Sequence, residues 1–283
     1  METGMICAVF SLGFAGLNDC VFKRYGQKAR PVGLFLGLIG LVWVIFFLLC
    51  GVFRKTLVFD SSVIFIGVMA GLFSAVANIL LVEGMKKTGA SVAASIYRLN
   101  LVFVAIIAFF LLKEPMGMLK IIGLLIAVAA VLLFSGWEKS SADTALKFIF
   151  LLLLASFLRA CMGISYKMAS GYSSNDEVFL AINGACWMVT GLIYSCFRER
   201  EMALSRSVFK YGMVSGLLVC GIVFFMKQAV NRMDASIAVS VSQFSFLVTA
   251  PLAVCFMNEK LSFRKYIGVG LAAICIVLLS ISK

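Results

Sequence analysis

The sequence contains no histidine and only three prolines among its 283 residues, and few of its residues carry charge. The missing histidine excludes an imidazole general base, a histidine proton relay and a histidine-ligated metal site. Only 13% of the residues are charged, whereas 63% are hydrophobic and the mean hydropathy is +1.08. Soluble domains are about one quarter charged. The composition therefore indicates a polytopic membrane protein.

The nine cysteines form no CxxC pair and match neither a zinc site nor a disulfide framework. We interpret them as small apolar packing residues, and we expect no metal and no cofactor. The net charge of +12 comes mainly from lysines and arginines in short loops between apolar runs. That distribution is typical of membrane topology, so no nucleic-acid partner is expected.

Apolar runs bounded by charges predict an all-α fold of ten transmembrane helices joined by short loops. The predicted spans are 4–22, 32–52, 62–84, 90–112, 117–136, 146–168, 177–197, 207–230, 235–257 and 262–281. Loops after the odd-numbered helices carry most of the lysine and arginine, so the positive-inside rule places them in the cytoplasm and both termini outside. We expect an integral, multi-pass protein of a bacterial inner (plasma) membrane.

The chain contains an internal repeat, which emerges when the sequence is aligned with itself at a shift of 145 or 144 residues. The shift of 145 matches Gly67/Gly212, Gly71/Gly216, Ala90/Ala235, Ser91/Ser236, Ala93/Ala238, Ser95/Ser240, Glu114/Glu259, Lys120/Lys265 and Gly123/Gly268. The shift of 144 matches Lys23/Lys167, Phe35/Phe179, Gly40/Gly184, Trp43/Trp187, Phe53/Phe197 and Arg54/Arg198. These matches predict two five-helix repeats, 1–140 and 141–283. Because five is odd, the repeats are expected to be inverted in the membrane, as in many secondary transporters.

The matched segments 88–133 and 233–279 resemble the EamA-like ten-helix carriers of the drug/metabolite transporter superfamily. In each segment, a small-residue helix start leads into a span, an acidic residue (Glu114 or Glu259) and a glycine-containing last helix. Lys23 and Lys167, which close the first helix of each half, also match the family pattern and are candidate coupling or gating residues. The sequence departs from the family at 98–100, where members often have a proline. The resemblance implies a permease or exporter of metabolites.

Polar side chains recur on one face of the fourth and ninth predicted helices. Ser91, Ser95 and Arg98 are spaced four and three residues apart, so they lie on one helical face. Adding 145 gives the equivalent residues Ser236, Ser240 and Gln243. The two stripes are predicted to face each other near the bilayer midplane and to bind substrate.

Arg98 and Asn100 interrupt an otherwise apolar span. Arg98 facing lipid would cost about 2.5–3.5 kcal/mol, so it must face a cavity, a partner or a substrate. It either binds an anionic substrate group or forms a packing ion pair with Asp19, and a pair that substrate breaks would couple binding to conformational change. Asn100 is a candidate substrate contact whose alternative role is an interhelical hydrogen bond.

Arg159 is the second cation within a span, and Ser156 and Gly163 share its helical face. Arg159 is either another substrate contact or a side chain that reaches toward the headgroups.

An ion-coupled carrier needs an acidic residue within a span, and Asp19 and Glu83 are the candidates. The alternative for Glu83 is neutralisation of Lys86 and Lys87 at the headgroups. Glu114 and Glu259 fall in loops, where they are expected to cap the fifth and tenth helices or to form a gate contact.

These features favour a secondary transporter that moves a small organic metabolite with an anionic or zwitterionic group by alternating access. The expected partners are that small-molecule substrate, membrane lipid and a coupling proton, in a monomer or a homodimer. The alternatives are a flippase for a lipid-linked or lipid-like substrate and a membrane-embedded enzyme. The enzyme is disfavoured because no set of catalytic side chains occurs within the spans.

Overall fold

The computed structural model describes residues 2–28, 30–88, 90–135, 142–171, 176–200, 203–257 and 262–281. These residues form helices joined by short connections, with no strand among them. The α-helices are α1 (Glu2–Gly26), α2 (Val32–Arg54), α3 (Ser61–Thr88), α4 (Ala90–Arg98), α5 (Asn100–Leu111), α6 (Met118–Ser135), α7 (Ala142–Ala169), α8 (Asp176–Tyr194), α9 (Arg206–Arg232), α10 (Ala235–Ser242), α11 (Phe246–Met257) and α12 (Phe263–Ile281). A π-helical turn, Ser195–Glu199, extends α8, and a 3-10 turn, Gln243–Ser245, separates α10 from α11.

Eight stretches of the described chain are helical, long and apolar enough to cross a membrane. They are Glu2–Gly26, Val32–Arg54, Ser61–Met85, Lys147–Ala169, Asp176–Glu199, Arg206–Arg232, Ala235–Cys255 and Phe263–Ile281. Two further apolar segments, Ile96–Leu111 and Met118–Phe134, are shorter. Together these ten segments correspond to the ten spans predicted from the sequence, although only eight have the length expected of a crossing helix.

Two predicted helices are interrupted in the middle by a short turn, and at the first of these breaks Leu99 keeps a right-handed helical conformation (φ −65°, ψ −2°). The span predicted over 90–112 is divided at Leu99 into α4 and α5, and the span predicted over 235–257 is interrupted at Gln243–Ser245, where Phe244 has a non-helical conformation (φ −85°, ψ 24°). Pro251 lies inside α11, beyond that interruption. The breaks fall at equivalent positions of the repeat, because 99 and 244 differ by 145.

Glycines allow α2 and α8 to pack with their backbones in contact. A Cβ on Gly40 would lie 2.3 Å from the Met188 nitrogen, and a Cβ on Gly191 would lie 2.4 Å from the Gly37 nitrogen. The two helices run antiparallel, since the start of α2 meets the end of α8. This close approach is the expected use of small residues between membrane helices.

Each half packs its third helix on the second helix of the other half in the same way. Gly67 of α3 faces Ile182 and Gly71 faces Cys186 on α8; in the other half, Gly212 of α9 faces Leu38 and Gly216 faces Val42 on α2. Ile182 and Leu38 are 144 residues apart, as are Cys186 and Val42. The contact is therefore repeated almost residue for residue, and in both copies the two helices run parallel.

The first helix of each half packs antiparallel to the third helix of the other half. The Ser11 hydroxyl near the start of α1 donates to the Ile222 carbonyl in the second half of α9 at 2.9 Å. Farther along α1, the Ser215 hydroxyl donates to Asn18 Oδ1 at 2.6 Å. The corresponding pair is α3 with α7, in which Gly84 approaches Leu152. The last helices, α6 and α12, pack on each other and complete the bundle.

Candidate functional site

The two helix breaks meet at Arg98. Its Nη1 atom donates a hydrogen bond to the backbone carbonyl of Gln243 at 3.2 Å. Gln243 is the repeat equivalent of Arg98, 145 residues away. A residue that touches its own equivalent lies near the axis relating the two halves. The interruption of the second helix leaves this carbonyl available to a side-chain donor, which is one way that broken membrane helices satisfy their backbone groups.

Arg98 also forms an ion pair with Asp19, which lies on α1. Arg98 Nη2 is 3.5 Å from Asp19 Oδ2, and it donates to the Ser245 hydroxyl at 3.3 Å. That hydroxyl donates in turn to Asp19 Oδ2 at 2.7 Å, while the guanidinium lies 5.3 Å from the centre of the Phe246 ring. Of the two interpretations of Arg98, the structure thus contains the ion pair. The side chains are 18% and 39% exposed, so the pair remains reachable by solvent or solute.

The backbone of α1 is adapted to the second break. Gly16 of α1 lies so close to the second break that a Cβ would be 2.5 Å from the Val248 side chain and 2.7 Å from the Ser245 carbonyl. The Thr249 hydroxyl lies within hydrogen-bonding distance of Asp19 Oδ2 and of the Gly16 carbonyl, 3.2 Å from each. Asp19 therefore has two hydroxyl neighbours from the broken helix. At a shift of 144 its equivalent is Gly163, so only one half carries this carboxylate.

The serines of the predicted second stripe are buried and engaged. Ser240 donates to the Ser236 carbonyl at 2.6 Å, and the Ser236 hydroxyl donates to Glu114. Both residues are fully buried. The side chains of Ser91 and Ser95 lie outside the described part of the chain. The substrate roles predicted for all four serines stay predictions.

Asn100 and Gln243 lie at the breaks themselves. Asn100 is fully buried, and neither its Oδ1 nor its Nδ2 atom has a hydrogen-bond partner among the described residues. A buried amide without partners is uncommon in folded proteins and indicates a place where a polar ligand or water is accommodated. Gln243 is partly exposed, and its backbone carbonyl makes the contact with Arg98.

Glu114 caps the start of α10 and not the fifth predicted helix, which corrects one of its two interpretations; the other, a gate contact, stays a prediction. Its carboxylate accepts from the Ala235 nitrogen at 2.6 Å and from the Ser236 nitrogen at 3.3 Å. Lys120 Nζ contacts two carboxylates, since it lies 3.3 Å from Glu114 Oε2 and 2.8 Å from Asp234 Oδ2. The sequence placed Glu114 next to the following helix, but the helix terminus that it caps belongs to the other half. Glu259, its equivalent, lies outside the described residues.

Arg159 lies on α7, and its side chain extends toward α3. Its Nη1 atom is 3.4 Å from the Ser74 hydroxyl and 3.5 Å from Met162 Sδ. Trp187 Nε1 donates to the same Ser74 hydroxyl at 2.9 Å. An isolated guanidinium at the centre of a membrane costs about 2.5–3.5 kcal/mol, so this position needs compensation from its surroundings.

Glu83 contacts a tyrosine and an arginine near the end of α8, whereas the sequence suggested two neighbouring lysines as its partners. It accepts a hydrogen bond from the Tyr194 hydroxyl, and Arg198 Nη2 lies 3.4 Å from its Oε2 atom. The side chains of Lys86 and Lys87 lie outside the described part of the chain. Glu83 thereby joins the end of α3 to the end of α8.

The lysines predicted to gate or couple transport close the first helix of each half. Lys167 Nζ donates to the carbonyls of Val230 and Met233 at 2.6 and 2.8 Å, which stabilises the end of α9. Lys23 lies in the last turn of α1. The described residues contain no cluster of side chains suited to holding a metal ion.

The long apolar helices, the repeated packing and the polar crossing at the breaks define an integral, multi-pass membrane transporter. The model of the EamA-like transporter family matches residues 2–136 and again residues 146–281. The chain therefore belongs to the EamA-like transporter family, which confirms the resemblance seen in the sequence. A solved crystal structure aligns with 99% of this chain and 99% of its own at a TM-score of 0.83 and 14% sequence identity, a likeness of fold alone. The search of curated proteins found no match.

Proposed function

We propose that this chain is a secondary transporter that moves a small organic metabolite with an anionic or zwitterionic group by alternating access. The observation that carries the proposal is the direct contact of two equivalent helix breaks through Arg98 and Gln243, beside Asp19. Broken helices that meet near the middle of the membrane are where secondary transporters bind their substrates.

We further propose ten crossings in two inverted five-helix repeats. The packing directions support this arrangement. α1 runs antiparallel to α9, α9 parallel to α2, α2 antiparallel to α8, α8 parallel to α3, and α3 antiparallel to α7. Following these relations from α1 to α7 gives opposite directions for the first helices of the two halves. An inverted repeat requires that relation.

In this mechanism Arg98 and Asp19 couple binding to movement. Their contact joins the end of α4 to α1 and, through the Ser245 hydroxyl, to the second break. A solute that enters between the breaks weakens this contact, and the halves then rearrange around it. Protonation of Asp19 would have the same effect on the pair and would couple transport to a proton gradient. The bilayer in question is a bacterial inner membrane in this proposal.

The test is solute exchange in vesicles that contain the purified protein. Vesicles are loaded with amino acids, nucleosides, sugars or organic acids, and counterflow of the labelled solute is measured with and without a pH gradient. We expect saturable counterflow of at least one anionic or zwitterionic solute. Counterflow of neutral solutes alone would contradict the proposed substrate class, and the absence of counterflow for every class would contradict the transport function.

A further inference from the structure

Arg159 differs from Arg98 in having no carboxylate partner among the described residues. Arg98 is already engaged by Asp19, the Gln243 carbonyl and the Ser245 hydroxyl. The side-chain contacts of Arg159 are a long hydrogen bond to Ser74 and a contact with a thioether sulfur. A guanidinium has five N–H donors and no acceptor, so the residues that the structure describes use only a small part of the hydrogen-bonding capacity of Arg159.

The guanidinium of Arg159 points into the bundle. Ser74, which it contacts, is 1% exposed and also accepts the hydrogen bond from Trp187 Nε1. Trp187 lies beside its repeat equivalent Trp43, with ring centroids 5.9 Å apart, in the packed region of α2 and α8. Arg159 therefore faces the interior between α3, α7 and α8, and the interpretation in which it reaches toward the headgroups does not describe this structure.

Three buried hydroxyl groups in the same region lack a hydrogen-bond partner among the described residues. They belong to Ser156, Tyr97 and Tyr166. Ser156 is fully buried and lies one turn before Arg159 on the same face of α7. Tyr166 lies two turns after Arg159 on the same face of α7, and Tyr97 lies on α4, which packs against α7. The cluster thus combines a positive charge with several hydrogen-bond donors and contains no negatively charged acceptor.

We propose that Arg159, Ser156, Tyr97 and Tyr166 form a subsite that binds the carboxylate of a small organic monoanion. Charge balance supports a single negative charge: the Arg98–Asp19 pair is neutral by itself, whereas Arg159 leaves one positive charge to be neutralised. A carboxylate fits because its two oxygens accept paired hydrogen bonds from a guanidinium and have further lone pairs for hydroxyl donors.

The subsite belongs to one half of the molecule only. The repeat equivalent of Arg159 is Ala15, so the charge is not part of the packing that the two halves share. The inference rests on the proposed transport function and deepens it: the substrate carboxylate binds Arg159, while Arg98 and Asp19 link the two breaks.

The experiment measures binding without transport. The thermal unfolding of purified protein in detergent is followed in acetate or phenylacetate at fixed pH and ionic strength. Chloride at the same concentration is the anion control, and choline is the cation control. A ligand that binds the native state raises the midpoint of unfolding. We expect both carboxylates to raise the midpoint of wild type, and Arg159→Gln to weaken the apparent affinity at least tenfold.

Matched variants separate the subsite from a general loss of charge or of folding. Arg206→Gln removes an exposed arginine at the start of α9 and should bind as wild type does. Tyr97→Phe, which keeps the ring, should weaken binding several-fold. If Arg159→Gln unfolds, the Tyr97→Phe and Arg159→Lys variants test the same subsite, and wild-type affinity in both contradicts it.

The binding and counterflow experiments distinguish a failure of the proposed subsite from a failure of the proposed transport function. No carboxylate effect on wild type, or undiminished binding by Arg159→Gln, overturns the subsite while counterflow of another solute leaves the transport function standing. Carboxylate binding that depends on Arg159, with no counterflow of any solute, supports the subsite and contradicts the transport function.

Discussion

The two broken helices hold equivalent positions in the repeat but have different surroundings. Every residue of α10 from Ala235 to Val241 is buried, and the helix packs on α1, α5 and α9. In α4, only Ala93 and Ile96 are buried among the side chains that the structure describes, and the helix packs mainly on α3, α6 and α7. Helices of both halves surround each of them, so the difference lies in how much of each helix is buried among the described residues.

A polar network holds the start of α10. Glu114 accepts the first backbone N–H groups of that helix, and Lys120 joins it to Asp234. The contacts of Glu114 with α10 and of Lys120 with Asp234 cross from one half to the other, so they hold the start of α10 against the first half.

The largest effect is expected from Glu114→Ala, which removes the carboxylate that caps the start of α10. The substitution leaves Lys120, 2% exposed, without its buried partner and frees the N-terminal N–H groups of α10. Breaking a buried ion pair in this way costs about 3–5 kcal/mol. We expect a loss of that order in the free energy of unfolding, measured by detergent-induced unfolding.

Two controls sharpen the comparison. Glu2→Ala removes an exposed carboxylate at the start of α1 and should leave stability unchanged. Adding Lys120→Met to Glu114→Ala should restore part of the loss, since it removes the buried charge that Glu114 no longer neutralises and leaves only the partly exposed Asp234 without its cation. Wild-type stability of Glu114→Ala alone would mean that the burial of α10 does not depend on this network.

The next largest effect is expected from Arg98→Ala, which cuts the contact between the breaks. It leaves Asp19 without its cation and the Gln243 carbonyl without its side-chain donor. We expect the initial transport rate to fall by about 10- to 100-fold, the equivalent of losing charge-assisted hydrogen bonds worth about 1.5–3 kcal/mol. Size-exclusion chromatography should show a folded, inserted protein, and Arg206→Gln should transport at the wild-type rate. Normal transport by Arg98→Ala would show that the breaks need no ionic link.

A smaller effect is expected in the packing of α2 against α8, which lies away from both breaks. Gly40→Ala places a Cβ 2.3 Å from the Met188 backbone nitrogen, so the two helices must separate. Overpacking of this kind costs about 1–3 kcal/mol. Gly37→Ala, one turn away, adds a Cβ at 3.6 Å from Leu192, an ordinary contact, and should change the unfolding midpoint little. Equal midpoints for the two variants would contradict this register.

The sequence predicted the repeat and the helices well, because these depend on patterns that a single chain displays. Apolar runs located the segments within a few residues, and matched glycines such as Gly67 and Gly212 marked contacts that the structure repeats. The sequence also identified Asp19 as the possible ion-pair partner of Arg98, since both lie at similar depth in the membrane.

The breaks and the Glu114 contact could not be predicted because they depend on the other half. Nothing in the local sequence at Leu99 or Phe244 forbids a helix, and Pro251, the usual signal, lies elsewhere. Glu114 binds backbone N–H groups more than 100 residues away, and no spacing rule connects the two. The polar residues at 98–100 and 243–245 were the available signal, but they indicated a site rather than an interruption.

The smallest effect is expected from Ser245→Ala at the second break. The Ser245 hydroxyl lies between Arg98 Nη2 and Asp19 Oδ2, so its removal deprives both charges of one hydrogen bond but leaves their direct contact at 3.5 Å. Because the pair is partly exposed, water can replace the hydroxyl, and we expect a loss of only about 1 kcal/mol in the free energy of unfolding. Ser280→Ala is the matched control, since that hydroxyl donates only to a carbonyl of its own helix, α12. If Ser245→Ala and Arg98→Ala lowered the free energy of unfolding equally in the same assay, the hydroxyl, and not the ion pair, would hold the breaks together.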